Sequence, residues 1–147
     1  MKTIDEVLGK RGNRLWTVTP ESSVIAALQR MVGKGLSALP VLKAGKLVGI
    51  ISESDCLTKV VFTGKSLDKT PVFEIMVQNT ASTAPEQTID DCLAFMQEQD
   101  IRYLPVEADG VFMGLVSMGD LYSPIVADQK EYIYRLENFV NGHEYNQ

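Results

Sequence analysis

The chain has 147 residues, 45% of them apolar and 22% charged, with a net charge of −5. That length fits one compact domain or two small halves sharing a core. The acidic balance argues against a nucleic-acid binder, which would carry a basic face, and no apolar run approaches the roughly 20 residues of a membrane span.

Met1-Lys2-Thr3-Ile4-Asp5-Glu6 carries acids where a secretory signal needs an apolar run. Cys56 and Cys92 have neither metal-ligand spacing nor a CxxC partner. They read as reduced thiols, and the expected location is cytoplasmic. Thr3 to Leu8 reads as a short helix, with Thr3 as cap, Glu6 three positions on, and Ile4, Val7 and Leu8 on one face. Lys10-Arg11-Gly12-Asn13-Arg14 reads as a solvated basic loop.

Leu15 to Val18 is expected as a short strand, and Thr19-Pro20-Glu21-Ser22-Ser23 as a turn with capping serines. Val24, Ala27, Leu28, Met31 and Val32 recur at helical spacing over 22–32, and Gly33-Lys34-Gly35 ends that helix. Ser37 to Leu42 is a strand whose Pro40 suggests an edge or a bulge. Ala44-Gly45-Lys46 is a hairpin turn, Leu47 to Ile51 a buried strand, and a helix runs from Glu53 to about Phe62. Residues 63–69 form a polar linker. Its Gly64-Lys65-Ser66 lacks the earlier glycine of a P-loop, because position 59 is Lys59.

The order then restarts, with Thr70 as cap and Pro71 at the first helical position. At an offset of 65, Pro20 falls on Pro85, Leu39-Pro40-Val41 on Leu104-Pro105-Val106, Gly45 on Gly110 and Gly49 on Gly114. Ser52 falls on Ser117 and Asp55 on Asp120. Glu6-Val7-Leu8 matches Glu74-Ile75-Met76 at an offset of 68. Glycines, prolines and acids in a fixed order at fixed distances indicate an internal duplication. Residues 1–65 form the first repeat with its N-terminal helix, 66–125 the second with a preceding helix, and 126–147 a C-terminal helix and polar tail. In that helix Ile125, Tyr132, Leu136 and Phe139 make an apolar stripe, to be covered by a second subunit or by the first half.

Each half is β-α-β-β-α with a Leu-Pro-Val strand and a Gly-x-x-Ser-x-x-Asp junction. In this it resembles a CBS domain (the cystathionine β-synthase type), and the likeness spans about residues 3–125. The resemblance implies an α+β fold of two tandem repeats packed about a pseudo-twofold axis. It further implies two three-stranded sheets with two helices each, a homodimer of such pairs, and adenosine ligands (AMP, ADP, ATP, NAD or S-adenosylmethionine) in clefts between the halves.

The residues agree chemically. A ribose offers two vicinal hydroxyls, and one carboxylate accepts from both. Asp55 and Asp120 suit that role, and helix capping is the alternative reading of each. Ser52 and Ser117 suit a phosphate or serve only as caps. Arg102 is the best phosphate cation by its forked geometry. The adenine is expected near Thr17, Val18 and Thr19, or near Thr83, Ala84 and Pro85, with Tyr103 at the pocket. Ser54, Tyr103 and Ser123-Pro124 stand where related pairs commonly have Arg, His and Val-Lys. Each change removes a phosphate contact, so the Asp120 and Arg102 site ranks above the Asp55 site, and AMP above a triphosphate. The expected function is a non-catalytic nucleotide sensor that regulates a protein in trans. A ligand-free dimerisation or interaction module and an S-adenosylmethionine binder are the alternatives. His143, the one histidine, lies in the tail, and no nucleophile–base pair or metal cluster is visible.

Overall fold

The computed structural model describes residues 2–10 and 15–141. Most of the expected basic loop and the tail with His143 lie outside them, as do the side chains of Ile125, Tyr132 and Phe139 in the expected stripe. The elements are α1 (Ile4–Lys10), α2 (Val24–Lys34), β1 (Ala38–Lys43), β2 (Lys46–Ser52), α3 (Glu53–Cys56), α4 (Ile89–Gln99), β3 (Tyr103–Ala108), β4 (Val111–Ser117) and α5 (Met118–Asn141). The bounds of α4, β3 and β4 are those of α2, β1 and β2 displaced by 65 positions. Finer features repeat as well. The caps are Ser23 and Thr88, and the bulges fall after Val41 and Val106. The turns at Ala44-Gly45 and Asp109-Gly110 both take positive φ.

The expected three-stranded sheets are two antiparallel hairpins, β1–β2 and β3–β4. The segments before α2 and α4 add one parallel bridge each, Val18 to Val41 and Thr83 to Val106. Proline explains why. Val18 donates to the Pro40 carbonyl (3.1 Å) and accepts from the Leu42 N–H (2.9 Å). The next bond in one direction needs an N–H on Pro40, and in the other an N–H on Pro20, and neither exists. Pro105 and Pro85 cut off the Thr83 bridge in the same way.

Two further segments differ from expectation. Pro71 is extended and caps a single 3-10 turn, Val72–Glu74, rather than opening a helix. The Val72 and Phe73 N–H groups bond the Ser22 and Pro20 carbonyls instead (2.8 and 3.0 Å). Beyond Cys56 the helix widens into a π turn, Leu57–Val61. There the Thr58 hydroxyl donates to the Ser54 carbonyl and that of Thr63 to the Lys59 carbonyl (2.9 and 2.8 Å), competing with the regular ladder.

Packing crosses the chain order. Ile4 and Val7 of α1 join the second core with Ile89, Leu93, Met96, Leu104 and Leu121. Val72 and Ile75 join the first with Val24, Met31, Leu39, Ile51 and Val60. This crossing explains the motif glycines. A Cβ on Gly49 would lie 2.7 Å from Met76 Sδ and 3.1 Å from the Val77 carbonyl oxygen, which itself bonds Ile50. A Cβ on Gly114 would meet Leu8 at 3.1 Å, so the helices matched at an offset of 68 fill equivalent gaps. The halves meet through Ala38, Ile50 and Leu115, with Tyr103 beside them. Ala38 with Tyr103, and Ile50 with Leu115, are counterparts under the offset, so the pseudo-twofold axis passes between them. Burial and the neighbouring Asp55 and Glu53 push the Cys56 thiol up to about 11, and burial raises Cys92. Both thiols therefore stay protonated at neutral pH.

Candidate functional site

Each strand-to-helix junction is a reciprocal cap. In the first half Ser52 Oγ accepts from the Asp55 N–H (3.1 Å), while Asp55 Oδ2 accepts from the Ser52 N–H (3.3 Å) and hydroxyl (2.9 Å). In the second, Ser117 Oγ accepts from the Asp120 N–H (3.0 Å), and Asp120 Oδ2 accepts from the Ser117 N–H (2.8 Å). Capping is thus satisfied at both.

A cavity of about 600 Å³ opens between the halves. From the second half it takes Ser117, Asp120, Tyr103 and Leu115. From the first it takes Trp16, Lys34, Ser37 and Pro40, with their neighbours. The Tyr103 hydroxyl donates to Ser37 Oγ (2.8 Å) and ties the two walls together. Lys34 Nζ lies 4.1 Å from the Trp16 ring centroid, and Arg30 approaches the same ring at 6.0 Å while donating to the Thr17 carbonyl (2.7 Å). The cavity therefore combines a carboxylate, a hydroxyl, an ammonium and an indole face.

Of the residues expected at a site, this cavity unites Ser117, Asp120 and Tyr103. Arg102, Thr17, Val18, Thr19, Ser52 and Asp55 do not line it. Arg102 is exposed, and its carbonyl accepts from the Met118 N–H at the start of α5 (3.0 Å). Its counterpart Ser37 is the one in the cavity. Thr83 and Ala84 line another cavity of about 600 Å³ beside α4, with Asp91, Cys92, Phe95 and Glu107, and no lysine or arginine borders it. Trp16 and Lys34 were not singled out as site residues from the sequence. Their counterparts are Ala81 and Gln99, so a reading guided by repetition passes over them. The only available signal was that Trp16 is the sole tryptophan.

The CBS-domain family model matches residues 12–61 and 72–127. The chain belongs to the CBS-domain family. As a tandem pair it is 31% identical over 150 residues to the Arabidopsis thaliana CBS domain-containing protein CBSX3, mitochondrial, with 95% of this chain and 72% of that protein aligned. A Burkholderia ambifaria protein with CBS domains superposes with a TM-score of 0.82 at 37% identity, over 87% of this chain and 96% of that one. CBSX2, whose structure is a complex with AMP, superposes with a TM-score of 0.71 over 86% of this chain and 98% of its own, and at 24% identity that likeness shows the fold alone. Among the described residues no helix is long and apolar enough to cross a membrane. One relative is named mitochondrial, so family membership does not by itself assign the cytoplasmic location expected from sequence.

Proposed function

We infer that this CBS pair is a non-catalytic regulatory module that takes an adenosine nucleotide, AMP by preference, in the cleft between its halves. The observation behind this reading is the cavity that joins Ser117 and Asp120 to Trp16 and Lys34 across the halves. Asp120 accepts from the ribose hydroxyls, and charge-assisted bonds of that kind contribute roughly 1.5–3 kcal/mol. Lys34 and the Ser117 hydroxyl meet the phosphate. The base lies against Trp16, Leu36 and Leu115. One ammonium suits one phosphate group, which favours AMP over ADP and ATP, with NAD and S-adenosylmethionine as the remaining candidates. By the same correspondence, Arg102 is the phosphate cation of the cleft on the Asp55 side. The AMP complex of CBSX2 supports the ligand class.

The second reading, a ligand-free interaction module, draws on exposed apolar side chains. Phe62 and Phe73 are exposed beside the first half, and Ile133, Tyr134 and Leu136 along α5. These surfaces suit a second copy or a regulated partner in trans. A thermal-shift panel with AMP, ATP, NAD and S-adenosylmethionine separates the two. At one hundred times Kd a ligand stabilises by about 2.7 kcal/mol, and AMP is expected to raise Tm most. No shift with any of the four leaves the interaction module as the reading.

A further inference from the structure

Asp55 and Asp120 hold equivalent places, but their surroundings differ. Asp55 Oδ2 is held by the Ser52 N–H and hydroxyl. Its Oδ1 lies 3.2 Å from Lys59 Nζ, four positions on. Both oxygens are therefore engaged within the chain, and the Asp55 side chain is only 17% exposed. Lys59 is anchored in turn, because its ammonium donates to the Ile75 carbonyl (3.0 Å) in the segment that crosses to close the first core. It sits within the π turn Leu57–Val61. The residue 65 positions beyond Lys59 is Pro124, which has no ammonium to offer Asp120.

We propose that Lys59 is a built-in counter-ion that withdraws Asp55 from ligand binding, so that each chain takes one nucleotide, in the Asp120 cleft, rather than one per half. The proposal rests on the nucleotide reading above. A ribose diol brings two neutral donors to Asp55. They do not replace the charge of a neighbouring ammonium, whose bonds to a carboxylate are about twice as strong as neutral ones. The diol would also have to strip the Ile75 carbonyl of its donor. Two nearly identical junctions thus have different duties: one binds, and the other braces the crossing segment.

Equilibrium dialysis with AMP on the full chain tests this, using wild type, Lys59→Met, Lys59→Gln and the double variant Lys59→Met/Asp55→Asn. Glutamine keeps a donor for the Ile75 carbonyl and removes the charge, so it stands in should the methionine variant fail to fold. Wild type is expected to bind one AMP per chain. The single variants are expected to bind two, the new site at least tenfold tighter than any second binding in wild type, and the double variant to return to one. Two equal sites in wild type, or one site in folded single variants, would overturn the proposal and leave the nucleotide reading standing. Absence of binding to wild type and variants alike would overturn both.

Discussion

Leu39→Ala is expected to lower the unfolding free energy by about 2–5 kcal/mol. Leu39 lies in β1, fully buried, at the centre of the first core between α2 and β2. Removing its branched end strips dispersion contacts and leaves a void that a closely packed interior fills only in part. In a chain of this size each kcal/mol moves Tm by about 2–4 °C, so a fall of roughly 5–15 °C should appear by differential scanning calorimetry. Leu104, its counterpart in the second core, is expected to behave alike. Val111→Ala, at a residue 64% exposed, should stay within about 0.5 kcal/mol. A loss below about 1 kcal/mol at Leu39 would show that this core is not packed as described.

Asp120→Asn is expected to weaken AMP binding about five- to thirtyfold, as charge-assisted bonds to the ribose become neutral ones. Asparagine is the informative choice. Its side-chain oxygen still accepts from the Ser117 N–H, so the cap at the start of α5 survives and the ligand-free Tm should move by no more than a few degrees. Alanine would remove both the cap, worth about 1 kcal/mol, and the charge, confounding fold with ligand. Titration calorimetry reads the difference, and an unchanged Kd would remove Asp120 from the site.

The duplication was legible because it is written in residues with backbone demands. Pro20 and Pro85, Gly45 and Gly110, and Gly49 and Gly114 each fix a local geometry, and their spacing returns in the element bounds. The sheet width was legible in principle too, since Pro20 and Pro40 remove the donors a longer third strand requires. What sequence order hides is crossing. Ile4 and Val7 look like part of the first repeat and pack in the second core, and Val72 and Ile75 do the reverse. Local periodicity shows which face of a segment is apolar, but not which core receives it.

The site divides the same way. Ser117, Asp120 and Tyr103 were found because they belong to, or adjoin, repeated motifs. Arg102 was grouped with Asp120 because both lie in the second half, yet the cleft is built across the halves and brings Ser37 and Lys34 to Asp120 instead. Trp16 and Lys34 have no repeated partner and acquire meaning only once the halves are apposed. The opening junction, Gly49 to Asp55, marks the fold by repeating. Its glycine serves packing against Met76 and Val77, and its acid is tied to Lys59.

The most direct test uses Trp16, the only tryptophan in the chain and a wall of the Asp120 cavity. AMP titrated into the wild-type protein should give a saturable change in tryptophan emission, shifted to higher concentration in Asp120→Asn by the same factor that calorimetry finds. Emission that stays flat at AMP concentrations where calorimetry shows binding would place the ligand elsewhere and contradict the account.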